Sequence, residues 1–226
     1  MTTIGKIILA ASIAAAGSPF ALATSINGSC TSVPSQPTEL VNAAVTCGQL
    51  NTSLLPTGAV VTEVQLTIDG EITGTIDLTN NAATAQTVEG TTTSNFFETD
   101  ALAGFTIPSP VVNPSFTTGF QTIGAGATYD SPLLSSSGTP QVLTDTTVFA
   151  PYEGTGTFAL AFSTISGFNL TGGGGQVASA QVTDATATVG LVYEYTVPSG
   201  TPEPASMLLM GVGLVGLGIY RKRMKA

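Results

Sequence analysis

The chain has no histidine, no tryptophan, two cysteines and five basic residues among 226. Each scarcity excludes something. Without histidine, the commonest general base, the commonest metal ligand and the Ser-His-Asp triad are all missing. The basic residues are Lys6, Arg221, Lys222, Arg223 and Lys225, so the 214 positions from Ile7 to Tyr220 hold no cation, while all 14 acidic residues fall there. Such a segment cannot neutralise phosphates, which excludes a nucleic-acid partner, and it cannot form a Lys or Arg salt bridge within itself. Charged residues make up 8% of the chain and hydrophobic ones 42%. The remainder is crowded with Thr, Ser and Gly. This composition suits half-buried strands better than exposed helices.

The few cations sit where export signals need them. Lys6 precedes an apolar stretch, Ile7 to Ala16, that is too short to span a hydrocarbon core of ~30 Å as a helix. Gly17 and Pro19 end it, and Ala21-Leu22-Ala23 fits the small-x-small rule of signal peptidase. Residues 1–23 are therefore expected to be a signal peptide cut after Ala23. At the other end, Thr201-Pro202-Glu203-Pro204 can continue neither a helix nor a central strand. An uncharged apolar run, Ala205 to Tyr220, follows, and then the basic stop Arg221, Lys222, Arg223 and Lys225. That order predicts a single hydrophobic helix with its basic end in the cytoplasm and the body outside.

This tail resembles the PEP-CTERM sorting signal, with Pro202-Glu203-Pro204 as its motif, Met207 to Tyr220 as its short transmembrane helix and Arg221 to Lys225 as its basic end. The residue before the motif is Thr201, where Val is usual. The resemblance implies an exosortase-type protease as partner, transient anchoring in the inner membrane, and delivery to the envelope, the surface or beyond. The tail also carries a GxGxxG string, Gly211 to Gly216. A dinucleotide site needs that string between a strand and a helix of a βαβ unit. Inside a terminal apolar span the glycines suit helix packing in lipid instead.

Between the ends, residues 24–200 read as a secreted β domain, with residues 201–226 as the sorting signal. Val64, Leu66, Ile68, Ile72, Ile76 and Leu78 keep one parity, and Glu63, Gln65, Thr67, Glu71, Thr73, Thr75 and Asp77 keep the other. Strict alternation marks a half-buried strand. Asp69-Gly70 is a favoured hairpin pair. A turn there would set Ile68 opposite Glu71, which register forbids. One long strand, bent or bulged at Gly70 and Gly74, is expected instead. Phe158 to Phe162 and Ala185 to Val197 alternate likewise. Weaker runs lie at Val41–Thr46, Thr84–Thr93, Phe116–Ile123 and Gln141–Val148. Gly, Pro and Asn clusters separate them. The fold class is all-β, an antiparallel β-sandwich. The body also resembles the choice-of-anchor E domain family, through Val61 to Ile76, Phe149 to Leu160 and Val189 to Thr196. That likeness implies a secreted β domain carried on one of several anchors and adds no activity.

Candidate chemistry is sparse. Cys30 and Cys47 outside the cytoplasm predict a disulfide; zinc would need four ligands. Asp69 and Glu71 share a strand face with Asp77, so they are weak Ca²⁺ ligand candidates, and Ca²⁺ is the one cofactor entertained. No EF-hand loop occurs, and a solvated acidic face explains the same carboxylates. A glycoside hydrolase would use paired carboxylates. The Thr clusters suit an exposed sheet face; an ice-binding face would need a fixed Thr-x-Thr period, which is lacking. The expected role is structural or adhesive, linked to exopolysaccharide, with no enzymatic activity. The alternative is a carbohydrate-binding or Ca²⁺-dependent module.

Overall fold

The alternation is realised as strands throughout the body. The computed structural model describes residues 22–198, 210–214 and 221. Twelve strands occur among them: β1 (Leu22–Asn27), β2 (Ser32–Pro37), β3 (Ala43–Gly48), β4 (Val60–Asn80), β5 (Gln86–Glu98), β6 (Ser115–Thr117), β7 (Gln121–Ile123), β8 (Thr128–Asp130), β9 (Leu134–Ser137), β10 (Gln141–Asp145), β11 (Thr157–Gly172) and β12 (Val177–Val197). They form two antiparallel sheets. In the seven-stranded sheet β12 and β4 run side by side at the centre. β1 and β2 lie along the outer side of β12, and β8, β9 and β10 along that of β4. The five-stranded sheet is ordered β3-β11-β5, with β6 and β7 beyond β5.

β4 is the uninterrupted strand that parity requires. Its 21 residues pair with β12 from Val60↔Thr196 to Asn80↔Val177. The expected bulge at Gly70 and Gly74 is absent: against β4, β12 shifts register only between Glu194 and Tyr195. The two glycines serve close approach instead. A Cβ on Gly70 would stand 3.1 Å from the Phe96 ring of the opposite sheet, and one on Gly74 would stand 2.2 Å from the Val182 carbonyl oxygen. At both positions the neighbour comes this close because no side chain stands between.

The core lies between the sheets. Val64, Leu66, Ile68, Ile72, Ile76 and Leu78 of β4 are fully or almost fully buried, as are Ala185, Ala187, Leu191 and Tyr193 of β12. They face Val88, Phe96, Leu160 and Phe162 of the other sheet. Burying one such aliphatic side chain is worth about 1.5–3 kcal/mol, so this row carries the fold. Hydroxyls also enter the core; Thr183 Oγ1 is buried without a partner among the described residues, but three others are satisfied. Thr92 Oγ1 donates to Gln181 Oε1 at 2.6 Å, Ser94 Oγ accepts from Ser166 Oγ at 3.0 Å, and Thr164 Oγ1 accepts from Leu40 N at 2.8 Å.

Cys30 and Cys47 form the expected disulfide, with Cα atoms 4.0 Å apart. It ties the segment between β1 and β2 to β3, and so joins the edges of the two sheets. The expected C-terminal membrane helix is not seen. No helix among the described residues is long and apolar enough to cross a membrane. Residues 210–214 are helical, and the rest of the expected span, Met207 to Tyr220, lies outside the described residues. Pro202, Glu203, Pro204, Ala21, Lys222, Arg223 and Lys225 also lie outside them.

Candidate functional site

Three surfaces carry candidate chemistry: the end where β12 delivers the chain to its tail, the acidic face of the larger sheet, and the hydroxyl face of the smaller one.

The exit end is framed by strand direction. Gly28 N donates to Leu191 O at 2.8 Å, and β2, farther along the chain, pairs with Asp184 to Thr188. β1, before Gly28, therefore runs antiparallel beside the residues of β12 that follow Leu191. Both ends of the body converge on one end of the sandwich. Ala23, the expected cleavage residue, lies within β1. A cut after it leaves Thr24 to Asn27 as the strand.

Two connections close this end, Gln49–Ala59 before β4 and Thr146–Gly156 before β11. They are bonded to each other. Leu50 N donates to Tyr152 O at 2.8 Å, Gly154 N to Leu50 O at 2.9 Å and Gln49 N to Gly156 O at 3.0 Å. The Gln49 amide bridges them again, donating to Pro151 O at 2.9 Å and accepting from Gly156 N at 3.0 Å. Beneath lie Tyr152 and Tyr193, each 1% exposed. Tyr193 Oη is within 3.0 Å of Tyr152 O and 3.2 Å of Gly48 O, and Tyr152 Oη donates to Ala103 O at 2.5 Å. Burial pushes both phenols up to about 12; nearby Asp145 adds to this for Tyr152. They stay protonated donors at any physiological pH. Phe105 and Phe158 pack edge-on against Tyr152, with centroids 5.5 and 5.0 Å away.

Two hollows flank the 3₁₀ turn Thr52–Leu54. One, of about 480 Å³, is lined by Ala59, Val60, Val61, Phe149, Ala150 and Glu153. The other, of about 280 Å³, is lined by Asn27, Gly48, Gln49, Leu54 and Tyr193 among others. On the rim Leu54 is 78% exposed and Val60 61%. Val60 pairs directly with Thr196, one residue before β12 ends.

The acidic face is the outward side of β4. Asp69, Glu71 and Asp77 project there, as parity predicts. They do not gather: no group of three or more acidic or cysteine side chains that could hold a metal ion exists among the described residues. What the sheet brings together are like charges, with Glu63 opposite Glu194 and Asp77 opposite Asp130. Asp69 Oδ1 is buried without a hydrogen-bond partner among the described residues. Glu98 and Asp100 lie at the end of β5, where Glu98 Oε1 accepts from Asp100 N at 3.0 Å and Ala161 N at 3.4 Å. Burial pushes the Glu98 carboxyl up from its ordinary value, against the downward pull of those two N–H groups.

The outer side of the smaller sheet carries paired hydroxyls and amides. Thr87 meets Thr122 at 3.0 Å, Thr93 meets Ser115 at 3.0 Å, and Thr117 Oγ1 donates to Glu89 Oε1 at 2.7 Å. Asn113 donates to Asn95 beside them. The Thr91-Thr92-Thr93 cluster signals this face in the sequence. Its partners lie on β6 and β7, the two short strands into which the weak run Phe116–Ile123 divides.

The tail decides the chain's destination. A family model of the PEP-CTERM protein-sorting motif matches residues 201–223. The match covers the sequence resemblance of the tail and implies an exported protein, sorted to the cell surface through exosortase processing. It lies wholly outside the body and lends nothing to the choice-of-anchor E likeness. No curated protein and no solved structure matches the chain. The PEP-CTERM motif places Pro202 five residues beyond Val197, the last residue of β12. Along the chain, the exit end is therefore the part of the body closest to the motif.

Proposed function

We propose that the chain is an exported β-sandwich protein, cut by signal peptidase after Ala23, held briefly in the inner membrane by Met207 to Tyr220, and handed by an exosortase-type protease to the cell envelope or surface. There it serves a structural or adhesive role associated with exopolysaccharide and carries out no reaction. The PEP-CTERM match at 201–223 carries this reading. The composition supports a passive role: the body offers no histidine, lysine or arginine with which to run acid-base or phosphate chemistry. The choice-of-anchor E likeness fits the same role.

The test is the intact mass of the protein recovered from the cell surface. The expected species begins at Thr24 and ends near Pro202-Glu203-Pro204. A surface form ending at Ala226 would refute the processing claim.

A carbohydrate-binding role has one observation in its favour, the hydroxyl and amide face formed by β5, β6 and β7. Such groups both donate to and accept from sugar hydroxyls. Replacing Thr91, Thr93 and Thr117 with valine keeps strand propensity and removes the hydroxyls. Weaker adsorption of that variant to polysaccharide extracted from the host envelope supports this face as the adhesive surface; equal adsorption assigns adhesion elsewhere.

A further inference from the structure

The end of the sandwich at which β12 stops is built more firmly than a pair of surface connections requires. Gln49–Ala59 and Thr146–Gly156 are locked together by three backbone bonds and the Gln49 amide, over two buried tyrosines. Yet this rigid cap leaves Leu54 and Val60 in solvent, beside two hollows. Rigid apolar projections next to concavities are the usual makings of a protein–protein contact. Chain length says what meets them. Pro202 follows Val197 by five residues, and five residues reach at most about 18 Å when fully extended. An enzyme that holds Pro202-Glu203-Pro204 in its active site is confined to within that reach of the end of the body, and Val60 is the register partner of Thr196, next to the exit.

We propose that this end, with Leu54 and Val60 as its apolar contacts, is a docking surface for the membrane-embedded processing protease, so that the enzyme reads the folded body as well as the tail. The inference rests on the sorting reading above. Charge favours a protein partner over the lipid itself. Glu153 lines one hollow, the Glu63–Glu194 pair lies just inside the rim, and the body has no cation to offset them. An anionic leaflet repels such a surface, whereas a protein face bearing apolar side chains and positive charge complements it.

Two measurements on the full-length precursor in host membranes test it. The first is the processing rate of Leu54→Asp with Val60→Asp. Burying one such side chain is worth enough that losing both slows processing about tenfold or more, with the disulfide and the melting temperature retained. An unchanged rate overturns the proposal. The second is photo-crosslinking from Leu54→p-benzoylphenylalanine, with Leu133, an exposed leucine on the far side of β4's pairing with β9, as control. The expected product joins position 54, and not position 133, to the protease. Labelling of lipid alone, or equal labelling from both positions, overturns the proposal. Pro202→Ala with Pro204→Ala separates the two levels: if that variant is processed normally, the sorting reading itself fails and the docking surface falls with it.

Discussion

At the scale of single residues, the fold is constrained most tightly where backbones touch. Gly74 has the Val182 carbonyl where a Cβ would go, 2.2 Å away. A backbone atom cannot swing aside as a flexible side chain can. Gly74→Ala is expected to cost about 2–4 kcal/mol, read as a lowered denaturation midpoint at unchanged slope. Gly70→Ala meets the face of the Phe96 ring at 3.1 Å and is expected to cost less, since the ring can shift. Glu98 gives a prediction with a sign. Burial raises its carboxyl in the folded state, so the folded chain holds that proton more tightly than the unfolded chain does. The group's contribution is then most favourable below its unfolded value and is lost as pH rises through the folded one. Glu98→Gln should flatten that part of the stability profile, measured by chemical denaturation between pH 4 and pH 7. If wild type and variant run parallel across this range, the carboxyl is not the source of the slope. Asp69 offers a gain. Its Oδ1 is buried without a partner among the described residues, and Asp69→Thr, which suits a strand face, should stabilise by about 1 kcal/mol.

At the scale of elements, parity made β4 legible, and it did so against a strong local signal. Asp69-Gly70 is a hairpin pair by composition, but the residues on either side keep one alternation, and register outranks turn preference when one face is buried. The reason for the glycines was not legible. A bulge and a close approach both call for Gly, and only the neighbours, Phe96 across the core and Val182 on β12, distinguish them. β11 and β12 were legible only in part, from Phe158 and from Ala185. In β11, Thr164 and Ser166 take core-parity positions between Phe162 and the pair Phe168 and Leu170, and in β12 Ala178 to Gln181 separate Val177 from Val182. Phe168, Leu170 and Val177 pack against the core, but these interruptions leave each apolar run too short to show a period. β1, β2, β8 and β9 are short edge pieces held by neighbours rather than by pattern, and sequence reasoning missed them. Of the candidate features, the sorting motif was readable because its signals are local. The exit end was not, since Leu54, Val60 and Glu153 are brought together from distant parts of the chain. The disulfide is the element-level device that holds the edges of the two sheets. With Cys30 and Cys47 separated by 17 positions, replacing both by serine is expected to cost about 3 kcal/mol. Proteolysis of the variant should begin between β1 and β3.

At the scale of the whole molecule, the body is a polyanion whose charges face one another across strands with nothing of opposite sign between them. Glu63 opposite Glu194 and Asp77 opposite Asp130 are unfavourable pairs. Raising monovalent salt from low concentration should therefore raise the melting temperature by screening. If the carboxylates do not gather around an ion, millimolar Ca²⁺ should do no more than an equal ionic strength of NaCl. A larger shift with Ca²⁺, abolished by Asp69→Ala or Asp77→Ala, would revive the Ca²⁺-dependent module.

The first strand imposes an order on the protein's life. β1 begins at Leu22, upstream of the bond expected to be cut, and lies along the strand that leads out to the tail. Once those two strands have joined, the Ala23–Thr24 bond is part of a hydrogen-bonded ribbon and no longer an extended peptide that an enzyme can seat. The proposed cut after Ala23 would therefore have to come while the C-terminal third of the chain is still arriving, and the finished sheet would act as a seal that closes behind it.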